Sequence, residues 1–114
     1  MGGAGIDEDR TYTNMLTATF YFKNIDSKHL NEYFVYFGDG TYVDFQNATK
    51  DNKEYYIVHK YIKPDTYYVV LKSDKKCMGN KCDDMYINVS NQTYNNGLVY
   101  PQQTSFKIIG IMKL

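Results

Sequence analysis

Three short phrases of this sequence decide its predicted fold: Val35-Tyr36-Phe37-Gly38-Asp39-Gly40, His59-Lys60-Tyr61 and Pro64-Asp65-Thr66-Tyr67-Tyr68-Val69-Val70-Leu71. The first phrase is typical of a strand that ends in a turn, because Gly38 and Gly40 can adopt positive φ and the Asp39 side chain can hydrogen-bond nearby backbone. The third phrase is typical of a turn that leads into a strand, since Pro64 fixes φ at the turn and the residues after it alternate. The predicted core-facing positions of that strand are Tyr67, Val69 and Leu71.

Taken together, the three phrases resemble the motif of the polycystic kidney disease (PKD) domain family. That motif runs roughly Trp-Asp-Phe-Gly-Asp-Gly, then His-x-Tyr, then Pro-Gly-x-Tyr-x-Val-x-Leu, and the same order is found here within residues 15–90. The chain departs from the motif at three positions, where Val35 replaces Trp, Tyr36 replaces Asp and Asp65 replaces Gly. The resemblance implies a seven-stranded immunoglobulin-like sandwich. It does not imply a single function, because such sandwiches have many roles.

The resemblance also implies structural roles for two side chains. His59 is expected to make a hydrogen bond near the turn at residues 38–40. Tyr67 resembles the tyrosine-corner residue, whose hydroxyl bonds to upstream backbone. A hydrolase that uses His59 and a carboxylate is the weakest hypothesis, because no Ser or Cys nucleophile motif accompanies this histidine.

Apolar and polar residues alternate along most of the chain, and no helix of ordinary length is predicted. We therefore expect an all-β fold. The resemblance implies that it is an immunoglobulin-like (PKD-type) antiparallel β-sandwich, and the residues beyond the family pattern are expected to add an extra C-terminal strand. Residues 1–10 are predicted to be a flexible lead because of their glycines and acidic cluster. Residues 11–90 are predicted to form the sandwich, and residues 91–114 a C-terminal β extension of the same domain. Polar loops are expected at residues 47–53 and 91–97.

Residues 105–114 form a β-like run with apolar side chains on both faces, a pattern that favours burial on both sides. Phe106, Ile108 and Met112 lie on one face, and Ile109 and Ile111 lie on the other. Two hypotheses remain open. Either the run adds a strand to its own sandwich, or it pairs with the open edge of a neighbouring subunit.

The sequence is rich in tyrosine, with 13 Tyr and 6 Phe but no Trp. If the strands around Val35, Val69 and Ile87 share one sheet, as the resemblance implies, five large side chains lie together on its outer face: Phe34, Tyr36, Tyr68, Val70 and Tyr86. Such a group of exposed apolar neighbours is typical of a surface that contacts a protein or a glycan. The intramolecular alternative is that the tail from residue 98 onward folds over them.

Length and charge limit the possible functions. One domain is expected from 114 residues. The 13 basic residues balance the 13 acidic ones, so the chain lacks the positive charge that a nucleic-acid partner requires. No apolar run approaches the roughly 20 residues of a membrane span, and no nucleotide-binding, hydrolase or zinc-protease motif is present. We expect no enzyme activity, no cofactor, no nucleic-acid partner and no membrane insertion.

Cys77 and Cys82 are the only cysteines, and their spacing allows a disulfide that closes the short loop between them. Two unpaired thiols are the alternative. A zinc site is disfavoured because only His29 and His59 are available to complete it. A disulfide indicates an oxidising setting outside the cytosol, or the interior of a hyperthermophile. Residues 1–10 lack the pattern of a signal peptide, so both a removed leader and a virion component that needs none remain open.

Other candidate sites are weaker. Asp83 and Asp84 follow the second cysteine and are weak candidates for Ca²⁺ ligands, although a solvated loop explains them as well. N-glycosylation acceptors occur at Asn47, Asn88 and Asn91. About one or two are expected by chance in a chain this rich in Asn and Thr, so these three carry little weight.

The leading hypothesis from the sequence is a non-enzymatic structural or interaction module. It is expected to work in an extracellular setting, at a cell surface or on a virion surface, through protein–protein assembly or adhesion. The expected partner is another protein or a second copy of the chain. A carbohydrate-binding module is the alternative, because flat tyrosine rings can stack on the faces of sugars.

Overall fold

Short strands account for most of the chain that the structure describes. The structure is a computed structural model, and it describes residues 3–52, 54–73, 81–91 and 93–94. The strands are β1 (Gly5–Ile6), β2 (Tyr12–Asn14), β3 (Thr17–Lys23), β4 (Tyr33–Tyr36), β5 (Tyr42–Asp44), β6 (Thr49–Asp51), β7 (Glu54–Lys60), β8 (Asp65–Ser73), β9 (Asp83–Val89) and β10 (Thr93–Tyr94). Two 3₁₀ helices connect them, η1 (Ser27–Glu32) after β3 and η2 (Phe45–Asn47) after β5.

The strands form two antiparallel sheets that pack face to face. One sheet has six strands, with the order β10-β2-β3-β7-β6 and with β1 also paired to β3. The other sheet has four strands in the order β5-β4-β8-β9. The predicted all-β sandwich is confirmed. The strands that carry Val35, Val69 and Ile87 lie side by side in the four-stranded sheet, as expected.

The core lies between the two sheets, where the inward-facing side chains of both meet. Phe20 and Phe22 of β3 belong to the same fully buried cluster as Val35, Val69 and Leu71 of the four-stranded sheet. Burying one such side chain contributes about 1.5–3 kcal/mol relative to leaving it in water. Because successive residues of a strand point to opposite faces, the same alternation that fills the core also determines which side chains lie on the outer faces.

The N-terminal residues belong to this core, which corrects the prediction of a flexible lead over residues 1–10. Gly5 and Ile6 form β1 and pair with β3. Ala4 and Ile6 are buried, and the Ile6 N–H donates a hydrogen bond to the Asp83 carboxylate at 3.0 Å. Burial of these two apolar side chains, together with strand pairing, outweighs the entropy lost when the glycines around them are ordered.

Two of the predicted loops contain strands. β6 lies within residues 47–53 and pairs with β7, and β10 lies within residues 91–97 and pairs with β2. Both are too short to show an alternating pattern, and pairing with a neighbouring strand defines them. The strand predicted at residues 105–114 lies outside the described residues. Within the described ranges, no helix is long and apolar enough to cross a membrane.

Candidate interaction face

The side chains predicted to share an outer face lie together on the four-stranded sheet. The strand register places Tyr36 opposite Val70, and Tyr68 opposite Tyr86. These residues point away from the core because they alternate with the buried residues of β4, β8 and β9. Tyr42 of the edge strand β5, which is paired with Tyr36, was not among the residues predicted for this face. We call the resulting set the aromatic face: Phe34, Tyr36, Tyr42, Tyr68, Val70 and Tyr86.

The rings of the aromatic face pack in two groups. Tyr42 stacks on Tyr36, with 5.1 Å between the ring centroids, and meets Phe34 edge-on at 6.4 Å. Tyr68 and Tyr86 form the second group, with centroids 4.9 Å apart. Such ring pairs contribute about 0.5–1.5 kcal/mol beyond the area they bury. Even so, Tyr86 remains 68% exposed and Tyr68 40% exposed, so each group keeps apolar surface in contact with water.

Charged side chains border the aromatic face. The Tyr68 hydroxyl donates a hydrogen bond to the Asp84 carboxylate, and the Lys81 ammonium lies 2.9 Å from the same carboxylate. The hydrogen bond to Asp84 raises the pKa of Tyr68, and the hydrogen bonds from Tyr68 and Lys81 lower the pKa of Asp84. Lys72 places its ammonium 5.0 Å from the centroid of the Tyr36 ring. The apolar rings therefore have a polar rim, as in protein interfaces.

The outer face of the six-stranded sheet also carries tyrosines, but a cation covers part of them. The Arg10 guanidinium lies 3.9 Å from the centroid of the Tyr21 ring, and Tyr56 packs against Tyr21 at 5.4 Å. Arg10 also pairs with Asp51 at 3.2 Å and with Glu54. This arrangement was not predicted from the sequence, because residues 1–10 were expected to be flexible and residues 47–53 to be a loop. The signal in the sequence that could have placed Tyr21 and Tyr56 on one face was the alternation along β3 and β7.

The three phrases that decide the predicted fold meet in one group, which we call the motif cluster: Phe37, Asp39, His59, Tyr61 and Tyr67. Phe37, Tyr61 and Tyr67 are buried, whereas His59 is half-buried and Asp39 is exposed. The His59 ring stacks in parallel on Phe37, with centroids 3.8 Å apart, and meets Tyr61 edge-on at 4.6 Å. Its Nε2 lies 2.8 Å from a carboxylate oxygen of Asp39. The hydrogen bond expected between His59 and the turn at residues 38–40 is therefore present.

Two tyrosine hydroxyls tie the motif cluster to backbone carbonyls. The Tyr61 hydroxyl donates to the Phe37 carbonyl at 2.8 Å, and the Tyr67 hydroxyl donates to the Lys63 carbonyl at 2.7 Å. The second bond is the one expected from Tyr67 to upstream backbone. The two rings stack with centroids 4.0 Å apart. Burial raises the pKa of Tyr61, and the nearby charge of Asp39 raises it further, so this hydroxyl stays protonated as a donor.

The turn of the motif cluster requires a glycine at position 38. Gly38 has φ +86°, which L side chains rarely adopt, and a Cβ there would lie 2.5 Å from the Tyr68 carbonyl oxygen. Asp39 accepts hydrogen bonds from the Thr41 backbone and hydroxyl as well as facing His59. Burial by itself would raise the pKa of Asp39, but the hydrogen bonds from Thr41 and His59 outweigh burial and lower it.

The weaker candidate sites have structural partners or lie outside the described chain. Asp83 accepts the Ile6 N–H, and Asp84 is held by Tyr68 and Lys81. Within the described residues, no group of three or more His, Cys, Asp or Glu side chains is placed to hold a metal ion.

The predicted disulfide involves Cys77, which lies outside the described residues. Cys82 is half-buried against the core, and its N–H donates to the Leu71 carbonyl at 2.9 Å. The three glycosylation acceptors lie in different elements. Asn88 is exposed on β9 and accepts a hydrogen bond from the Thr66 hydroxyl. Asn91 is exposed after β9, and Asn47 lies in η2.

Comparison of the chain with protein-family models, with curated proteins and with solved structures found no match.

Proposed function

We propose that this protein is a non-enzymatic interaction module that uses the aromatic face to contact another protein, in assembly or adhesion. The observation that carries the proposal is the aromatic face itself. Tyr68 and Tyr86 together with Tyr36 and Tyr42 form two packed ring groups that remain in contact with water. Apolar groups that are exposed side by side and bordered by charge are typical of protein contact sites, and tyrosine is enriched among the residues that contribute most to binding.

The surroundings of the aromatic face favour a protein partner over a sugar. Stacking on a sugar needs a flat ring with one face open. Here Tyr42 covers a face of Tyr36, and Tyr68 and Tyr86 lie against each other with a 40° tilt. Carbohydrate binding is therefore the second candidate, supported by the exposure of Tyr86 and Tyr42. Binding on a glycan array that is lost in Tyr86→Ser would favour it, and an array without hits would count against it.

The proposed contact is tested first with a second copy of the chain as partner. Sedimentation velocity over a concentration series up to about 1 mM detects association as weak as about −4 kcal/mol. We expect association that increases with concentration and that is lost in the double variant Tyr68→Ser with Tyr86→Ser, because the substitutions remove one ring group.

The matched control is Tyr12→Ser. Tyr12 is 39% exposed on the outer face of the six-stranded sheet, close to the 40% of Tyr68. We expect this variant to associate like the unmodified chain. Strictly monomeric behaviour of the unmodified chain at about 1 mM would contradict self-assembly, and equal loss in both variants would contradict a role for the aromatic face.

Two finer features belong to the same proposal. We infer a PKD-type immunoglobulin-like sandwich, supported by the His59–Asp39 and Tyr67–Lys63 hydrogen bonds. We also infer an extracellular, cell-surface or virion-surface setting, supported by the spacing of Cys77 and Cys82. Peptide mass spectrometry without reduction tests the second inference. A Cys77–Cys82 cross-linked peptide is expected, and two alkylated thiols would contradict it.

A further inference from the structure

The described residues leave the side of the sandwich at β5 partly uncovered. Val43 of β5 is paired with Val35, so both side chains point toward the space between the sheets. Val35 is fully buried, whereas Val43 is 40% exposed. On the other sheet, Ile57 is paired with the fully buried Phe20 but is itself only half-buried. Among the described residues, no strand covers these two inward-facing side chains on the side of β5.

A groove of about 560 Å³ runs along this open side. Tyr42, Val43, Ile57 and Val58 line it, and Asp44 is the one charged side chain among its described lining residues. Natural edge strands are protected by charged residues, proline, a bulge or short length. β5 has three residues, Tyr, Val and Asp, so a single charge and its short length are its only protection of this kind. The groove therefore combines a lightly protected strand edge with mainly apolar lining residues.

The neighbouring edge of β7 is open over part of its length. β6 pairs with β7 only at residues 54–56. Within the described chain, residues 57–60 of β7 have a strand neighbour on the β3 side alone. This part of β7 faces the groove, because Ile57 and Val58 are among its lining residues.

We propose that residues 105–114 of the same chain occupy this groove as an added strand beside β5. Lys107 and Lys113 are the only charged residues of this run, and their sign is opposite to that of Asp44. The run needs burial on both sides and a backbone partner. The inward-facing Val43 and Ile57 would cover one face of the run, Tyr42 borders the other face, and the edge of β5 offers the backbone partner.

The connection to the groove is long enough within one chain. β10 lies three strand positions from β7 in the six-stranded sheet, which is about 14 Å at the usual strand spacing. Residues 95–104 span up to about 33 Å when extended. The segment of the same chain is favoured over that of a second copy, because tethering gives it an effective concentration on the order of millimolar.

This inference is separate from the proposed function. Phe34 and Tyr42 border both the groove and the aromatic face, but Tyr68 and Tyr86 are not part of the groove. The ring group of Tyr68 and Tyr86 is therefore available to a partner whether the groove is filled or empty.

Site-specific photo-cross-linking in the full chain tests the inference. With p-benzoylphenylalanine at position 43, we expect a cross-link to residues 105–114 in the monomeric fraction, identified by peptide mass spectrometry. Position 58, in the same groove, gives an independent probe if the bulky residue at position 43 disturbs β5. The matched control is position 62, because Ile62 is 94% exposed and lies outside the groove. We expect no cross-link from there to residues 105–114.

Mixing isotope-labelled with unlabelled chains identifies which copy supplies the segment. Cross-links within one chain support the inference. Links between labelled and unlabelled chains would assign the groove to a second copy and overturn it. The absence of any link from positions 43 and 58 to residues 105–114 would overturn it as well. So would a link to that segment from a probe at position 86, which would place the segment over the aromatic face.

Discussion

Two tyrosine-rich regions of this molecule differ in the burial of their rings and in the hydrogen-bond partners of their hydroxyls. In the motif cluster, Tyr61 and Tyr67 are buried, and each hydroxyl donates to a backbone carbonyl. In the aromatic face, Tyr68 and Tyr86 pack against each other, the Tyr68 hydroxyl donates to the Asp84 carboxylate, and both rings remain exposed. The comparison shows that nearby backbone acceptors and a covering sheet distinguish a tyrosine that stabilises the fold from one that is available to a partner.

The largest expected effect lies at the turn of the motif cluster. Gly38→Ala should lower the free energy of unfolding by about 3 kcal/mol or more, because a positive φ and a contact with the Tyr68 backbone both oppose a Cβ. Urea denaturation followed by circular dichroism measures the loss.

Gly40→Ala is the matched control for this prediction. Gly40 also has a positive φ, but a Cβ added there would meet no atom within 4 Å. We expect a loss of only about 1 kcal/mol from backbone strain. Equal losses of unfolding free energy in the two variants would show that the close approach of Gly38 to the Tyr68 backbone of β8 does not affect stability.

The next effect concerns the buried hydroxyl. Tyr61→Phe should lower the free energy of unfolding by about 1–2 kcal/mol, because the Phe37 carbonyl loses its donor inside the core. Tyr67→Phe is the control with the same chemical change in a less enclosed hydrogen bond, and it should cost less. If Tyr61→Phe were neutral in chemical denaturation, the motif cluster would be held by ring packing alone.

Several parts of the fold and the site were predictable from the sequence because they depend on local patterns. The alternation around Val35, Val69 and Ile87 predicted which residues face the core and which face outward, since a strand sends successive side chains to opposite faces. The grouping of the five outer residues on one sheet was predicted from the resemblance to PKD domains. The glycines and Asp39 predicted the turn from their backbone preferences.

Other parts depend on contacts that a local pattern does not contain. β1 and β6 are too short to alternate, and they are defined by pairing with β3 and β7. Tyr42 joins the aromatic face only through its register opposite Tyr36. The position of Arg10 over Tyr21 likewise depends on the fold bringing two distant segments together.

A smaller effect should appear in acid. The hydrogen bonds from Thr41 and His59 outweigh burial and lower the pKa of Asp39 in the folded protein. Its contribution to stability is therefore present above the unfolded pKa of about 3.9 and is lost as the pH falls through the lower folded pKa.

Asp39→Asn removes this titration. We expect the free energy of unfolding to depend less on pH in the acid range in the variant than in the unmodified chain, with a difference below about 1 kcal/mol because the pair lies near the surface. Asp65→Asn, at an exposed carboxyl outside the motif cluster, is the control and should retain the original dependence. If the free energy of unfolding of Asp39→Asn depended on acid pH as in the unmodified chain, the expected contribution of the Asp39 carboxylate to stability would be wrong.

The smallest effect on stability is expected at the aromatic face. Tyr86→Ser should change the free energy of unfolding by no more than about 1 kcal/mol, because the ring is largely exposed and loses mainly its pairing with Tyr68. Thermal and urea unfolding measure this. A loss as large as that of Tyr61→Phe would mean that Tyr86 stabilises the fold rather than remaining available to a partner.

Backbone amide chemical shifts recorded over a protein concentration series show whether the aromatic face, and not the motif cluster, is the contact surface. They report on both regions in one experiment. We expect shifts that grow with concentration around Tyr68 and Tyr86 and stay small around His59 and Tyr61. Shifts centred on the motif cluster, or no concentration dependence on the aromatic face up to about 1 mM, would contradict it.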